Sequence, residues 1–156
     1  MLRLKVLISA VPLIAAAVLA RFALFPGPLP CIAIGTDTLQ IAAAPWHADL
    51  HVSFTDDPTL ATVRVAVSDR AETADFAVID DVDDADDSGC RSTPATRFVT
   101  ISAEKSASAP VIYLSHGDGP SDYRIFVRST RLSEQDAAAL VVEARGDHQR
   151  LAAASL

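Results

Sequence analysis

Between Pro45 and Asp83 one pattern is written three times at a spacing of thirteen residues: PWHADLHVSFTDD (45–57), PTLATVRVAVSDR (58–70) and AETADFAVIDDVD (71–83). Ala48, Ala61 and Ala74 align, as do Asp49, Thr62 and Asp75. Leu50, Val63 and Phe76 follow and, two places later, so do Val52, Val65 and Val78. In the first two units the apolar residues alternate with polar or small ones, the period of two that marks a half-buried strand. Each unit therefore reads as one short turn followed by one strand. Asp56-Asp57-Pro58 reads as the opening of a helical turn, with Asp57 as N-cap and Pro58 at the first helical position, and Ser68-Asp69-Arg70-Ala71-Glu72 reads the same way. A tight meander would make the three strands antiparallel, whereas a turn of helix passing over one face would make them parallel. Parallel connections ordinarily take a dozen or more residues and only about eight are available here, yet the identical phasing suggests that each strand meets the core alike. Both arrangements stay open.

Outward from the repeats, Leu39 to Ala43 predicts a short strand before them, and Phe98 to Ser102, Val111 to Leu114 and Tyr123 to Arg128 predict strands after them. The HGDGPS turn (116–121) spaces the last two as a hairpin. The clearest helix is Glu134 to Arg145. Ser133 and Asp136 make a capping box, Ala137, Leu140, Val141 and Ala144 form one apolar stripe, and Gly146 stands at the C-cap position. The expected architecture is a single α+β or α/β domain over residues 39–146. It would hold one sheet of about six short strands, three of them from the repeat, with the C-terminal helix across one face. Residues 147–156 read as a flexible tail.

A chain of 156 residues fits one domain, since single cores most often run to roughly 100–150 residues. The first thirty residues hold three basic groups (Arg3, Lys5, Arg21) and no acidic one, so the rest carries ten basic against twenty acidic residues, 10 − 20 = −10. A body that acidic repels phosphate, which makes nucleic acid an unsuitable partner. Arg3 and Lys5 precede an uncharged run from Val6 to Ala20, then Arg21 and Phe22 to Phe25, and Pro26, Pro28 and Pro30 stop any helix. This is an export signal in one of two forms. Cleavage after Val18-Leu19-Ala20 would make it a signal peptide. Uncleaved, Val6 to Phe25 is just long enough for a transmembrane anchor, with Arg21 snorkelling at its end. Residues 1–25 are thus signal or anchor, and 26–38 a proline-rich spacer. The basic start places the body on the periplasmic or other extracytoplasmic side of the membrane.

Two cysteines, Cys31 and Cys90, lie beyond that segment. In an oxidising compartment they are most simply a disulfide, and closing the intervening loop would remove denatured-state entropy worth about 4 kcal/mol.

Three groups of residues merit consideration as sites. From Asp84, DADDSG opens like a calcium loop, with Asp84, Asp86 and Ser88 as oxygen ligands and Gly89 for the turn. The twelfth position is Ala95 in place of the bidentate glutamate, a role open only to Asp80, Asp81 or Asp83; the plainer reading is a solvated acidic loop. On a strand, His47, Asp49 and His51 would share a face and suit zinc or copper, joined by His116 and Asp118 if their turn lies near; the plainer reading is polar surface. Ser115-His116-Gly117-Asp118 has the residue types of a hydrolytic triad, but triads are assembled in space, not by adjacency. No nucleophile elbow, HExxH, phosphate loop or dinucleotide fingerprint is present.

The tandem Ala-Asp-apolar-x-Val units, with Trp46 two places upstream and an aspartate after them, resemble small bacterial tandem-repeat proteins of uncharacterised function. The resemblance spans residues 45–83, with Thr62 where the pattern has aspartate, and it implies architecture without activity. The function expected is an exported or membrane-anchored envelope domain acting as a non-catalytic binding or structural module for an envelope protein or small ligand. A calcium-binding module and, more distantly, a small envelope hydrolase are the alternatives.

Overall fold

Among the described residues Cys31–Ile34 (β1), Asp37–Ile41 (β2), Leu50–Phe54 (β3), Val63–Val67 (β4), Phe76–Ile79 (β5), Arg97–Ile101 (β6), Val111–His116 (β7) and Tyr123–Arg128 (β8) form one sheet, followed by the helix Glu134–Ala154 (α1). The computed structural model describes residues 31–34, 37–79, 93–117 and 119–154, with 147–154 as backbone only. The sheet curls into a half-barrel. Eight strands are described where about six were expected, and the one with no expected counterpart is Cys31–Ile34: read as proline spacer, it is a strand antiparallel to β2, and β2 itself begins inside the segment assigned to that spacer.

The strand order is β1-β2-β6-β3-β7-β4-β8-β5, with every pairing after β1 parallel. The three repeat strands are therefore parallel but not side by side, because β7 lies between β3 and β4 and β8 between β4 and β5. Nor are β7 and β8 a hairpin, since β4 separates them and runs the same way. The chain builds two arrays, β2-β3-β4-β5 and β6-β7-β8, and interleaves them.

The register is constant. On one side of the first array, Leu50 faces Val99, Val63 faces Ile112 and Phe76 faces Ile125, each pair 49 apart. On the other side, Leu39 faces Arg97, Ser53 faces Val111 and Val65 faces Tyr123, each pair 58 apart. The second array thus repeats every thirteen residues as well, through Val99, Ile112 and Ile125.

The two offsets explain why eight residues suffice for a parallel crossover. They differ by 58 − 49 = 9, so Phe54, Ile112 and Val63 lie level across three strands, as do Ile41, Val99 and Leu50, and Val67, Ile125 and Phe76. Each strand begins at the height where the previous one of its array ended. A connection need only step sideways over one strand, about 9.5 Å, and never returns along its length. The slack forms one tight turn per unit. His47, Leu60, Thr73, Thr96 and Ala109 each donate their N–H to the carbonyl three residues back, at 3.0, 3.1, 3.4, 2.9 and 3.3 Å. Pro45–His47 and Ala71–Thr73 are complete 3-10 turns. Asp57 does not cap a helix: its Oδ1 accepts the Thr59 N–H at 2.8 Å and hydroxyl at 2.7 Å in a side-chain-closed turn.

Val52 and Val65 are fully buried in the core, and Val78 packs half-buried against it. Val99, Ile112 and Ile125 join them from the second array. The core is completed by α1, which touches β2, β3, β4, β6, β7 and β8. From Ala137 to Val142, and at Ala144, its residues are no more than 2% exposed. The expected stripe at 137, 140, 141 and 144 is therefore only part of a run of the helix that is buried all round, in the hollow of the sheet. Ser133 and Asp136 cap it reciprocally, with the Asp136 N–H donating to the Ser133 hydroxyl at 3.1 Å and the Ser133 N–H to the Asp136 carboxylate at 3.1 Å. The helix passes through Gly146 to Ala154, where a C-cap and a flexible tail were expected. An interior glycine costs only about 1 kcal/mol against alanine, and no proline follows to stop the helix.

Candidate functional site

The most repeated polar feature of the sequence proves to be structural. Asp49, Thr62 and Asp75 each precede a strand and grip the neighbouring backbone at two points. Asp49 N–H donates to Phe98 O at 2.8 Å while its carboxylate accepts Phe98 N–H at 2.9 Å. Thr62 does the same with Val111 at 2.9 Å and 2.9 Å, and Asp75 with Arg124 at 2.7 Å and 2.7 Å. What the position requires is one short side chain with an acceptor oxygen, which is why threonine can replace aspartate in the second unit.

That role takes Asp49 away from the histidine cluster. His47 sits in a 3-10 turn before β3, not on the strand, with its ring edge-on to Trp46 at 6.0 Å. His51 is exposed on β3 with Nδ1 3.4 Å from the Ser102 hydroxyl. Among the described residues no three His, Cys, Asp or Glu side chains come together to hold a metal. The hydrolytic group is likewise taken apart. Ser115 and His116 are consecutive on β7 and so project to opposite faces. The Ser115 hydroxyl points to Val65 O at 3.5 Å, and His116 Nε2 lies 2.9 Å from Glu134 Oε2. Asp118 lies outside the described residues, as do Asp80, Asp81, Asp83, Asp84, Asp86, Ser88 and Cys90, and the N-terminal segment. Cys31, at the start of β1, is disulfide-bonded. No helix among the described residues is long and apolar enough to cross a membrane.

Two concavities among the described residues bear on function. The first, about 570 Å³, has a mixed lining and lies between β3 and the connection after β6. His51, Ser102, Glu104 and Lys105 line it, together with Glu143 of α1, 3% exposed. Lys105 Nζ is 3.2 Å from the Thr55 hydroxyl beside it. Nearby, Asp57 is held below the usual carboxylate range by the Thr59 hydroxyl and then by the Thr59 N–H.

The second, about 450 Å³, is apolar and lies between β1 and β5, with Leu132 and Val141 also lining it. β1 and β5 are the two ends of the strand order, so the two edges of the half-barrel face each other across this groove. Phe76 is fixed at one end of β5, edge-on to Tyr123 at 6.2 Å with the Arg145 guanidinium 5.0 Å above its ring. Beyond it, Val78 is half-buried and Ile79 38% exposed.

Sequence reading located the β5 residues but not the groove, because β1 was assigned to the spacer. It also passed over the second array. The signal was there: Val99/Ile101, Ile112/Leu114 and Ile125/Val127 recur at thirteen, as Leu50/Val52, Val63/Val65 and Phe76/Val78 do. Compared with protein-family models, curated proteins and solved structures, the chain shows no significant match.

Proposed function

We propose that this chain is an exported envelope domain, anchored by or cleaved from its N-terminal segment, that acts as a non-catalytic binding module through the apolar seam between β1 and β5. One observation carries the reading: the sheet ends in two edge strands that frame an apolar groove of about 450 Å³. That size lies within the range of binding clefts, and two strand edges beside apolar side chains suit a polypeptide better than a small polar substrate. The composition agrees, since the acidic body disfavours nucleic acid and anionic lipid. Cys31 borders the groove and is disulfide-bonded. With Cys90 as its partner, the proposed bridge would keep β1 at the edge of the seam in an oxidising compartment.

The test places a photo-reactive residue at Ala77 on β5 and, as control, at Ser108 beside the first concavity, in the full chain within its native envelope. The reading expects one adduct of defined mass from Ala77, identified as an envelope component, and none from Ser108. Equal labelling at both positions, or no adduct at Ala77, would reject it.

A further inference from the structure

The two interleaved arrays make β5 unlike the strands before it. β3 lies between β6 and β7, and β4 between β7 and β8, so each has a second-array strand on its 49-offset side and another on its 58-offset side. β5 has β8 on the 49-offset side and no described strand on the other. β8 begins opposite Val65, so the missing neighbour would begin opposite Val78, at 78 + 58 = 136, and there the chain is already in the first turn of α1.

We infer that the open side of β5 is a vacant position in the array, which receives an extended segment of a partner polypeptide, parallel to β5 and in the register the other strands obey. The inference rests on the seam being the binding surface and specifies its occupant. On β4 the 58-offset neighbour puts Tyr123 opposite Val65 and Ile125 opposite Val67. Shifted by thirteen, the occupant places an apolar residue opposite Val78, on the side where Leu132 and Val141 line the groove, and another just past the described end of β5. Asp122 and Arg64 show how such a neighbour is fastened: Asp122 N–H donates to Arg64 O at 2.8 Å, and the Asp122 carboxylate accepts Arg64 N–H at 2.8 Å. Ala77 is the equivalent of Arg64 in the next unit. Ile79 is the equivalent of Ser53, whose N–H donates across the same side of β3 to Pro110 O at 3.0 Å. The occupant is therefore a segment of the form Asp-apolar-x-apolar. β5 itself, Phe-Ala-Val-Ile, has no charge, proline or bulge to guard it, and an apolar edge of that kind is a template for strand addition.

The probe is the chain's own β8 segment as a synthetic peptide, PSDYRIFVRSTR (120–131), titrated into the full disulfide-bonded chain and followed by amide chemical shifts. The expected result is saturable binding with shifts confined to β5 and β1. A spin label at the peptide's N-terminus should broaden the start of β5 more than its end. In the peptide, Ile125→Asp should weaken binding at least tenfold, and Asp122→Ala several-fold. Neither change touches the folding of the protein. In the protein, Ile79→Pro removes one edge donor and should weaken binding similarly.

No saturable binding below millimolar peptide, an antiparallel orientation, indifference to Ile125→Asp, or shifts spreading through β4 because β8 has been displaced would each overturn the inference. So would a dimer of the chain joined by β5 against β5, since a two-fold axis makes that contact antiparallel. If the peptide fails while Ala77 still yields its adduct in the envelope, strand addition is wrong and the seam reading stands; if both fail, both are wrong.

Discussion

β4 and β5 come from consecutive copies of one thirteen-residue unit, yet they end in different environments. β4 has a parallel neighbour on each side, and Val65 at its centre is 0% exposed. Among the described residues β5 is paired on one side only, with Val78 half-buried and Ile79 38% exposed. The local residues are alike, so the difference comes from the other array, which supplies three strands to the four of the first. A repeat sets how a strand meets the core, and the count of partners sets whether it is interior or edge.

The comparison breaks if equivalent substitutions have equal effects. Val65→Ala should cost about 1.5–3 kcal/mol, from two lost carbons at about 0.8 kcal/mol each plus a cavity, and Val78→Ala less than half of that. Denaturant midpoints of the two variants measure the ratio. The backbone grip gives the next effect. Thr62→Val keeps the shape but removes the acceptor for the Val111 N–H and should cost about 1 kcal/mol, while Thr62→Asp, which restores the residue of the flanking units, should be nearly neutral.

The Arg145 contact sharpens the contrast from the helix side. Because the guanidinium lies over Phe76, Arg145→Ala should remove about 0.5–1 kcal/mol, and hydrogen exchange should show the loosening at Val78, which faces β8, and not at Val65. Asp57 gives a smaller, pH-dependent signal in the turn before β4. Its carboxyl titrates below the usual range in the folded chain, so its contribution is present above the ordinary aspartate range and is lost as pH falls through the lowered value. Thr59→Ala removes the larger cause, and NMR titration should show the carboxyl returning toward normal. Last, millimolar calcium should leave the melting temperature unchanged if the module binds through its seam, and a rise would favour Asp84, Asp86 and Ser88 as a cation site.

What was legible followed from local physics. Alternating apolar residues marked β8 to the residue, Tyr123–Arg128, and β6 to within one, and Ser133 with Asp136 marked the start of α1. The direction and order of the strands were not legible, because the 49-residue offset is a long-range property that no single unit displays. The second array stayed hidden for a physical reason. Where the first array carries Asp49, Thr62 and Asp75, the second carries Phe98, Val111 and Arg124, whose backbones, not side chains, receive the grip. Proline-rich surroundings concealed β1, and with it the groove, while the residues proposed as a calcium loop lie outside the described ones.

The interleaving itself is tested most directly by nuclear Overhauser contacts from α protons of the first array to amide protons of the second. The account predicts cross-strand contacts joining His51 with Thr100, Arg64 with Tyr113 and Ala77 with Phe126, all at one offset of 49, with β4 between β7 and β8. Contacts joining β7 directly to β8 as a hairpin, or β3 directly to β4, would contradict it.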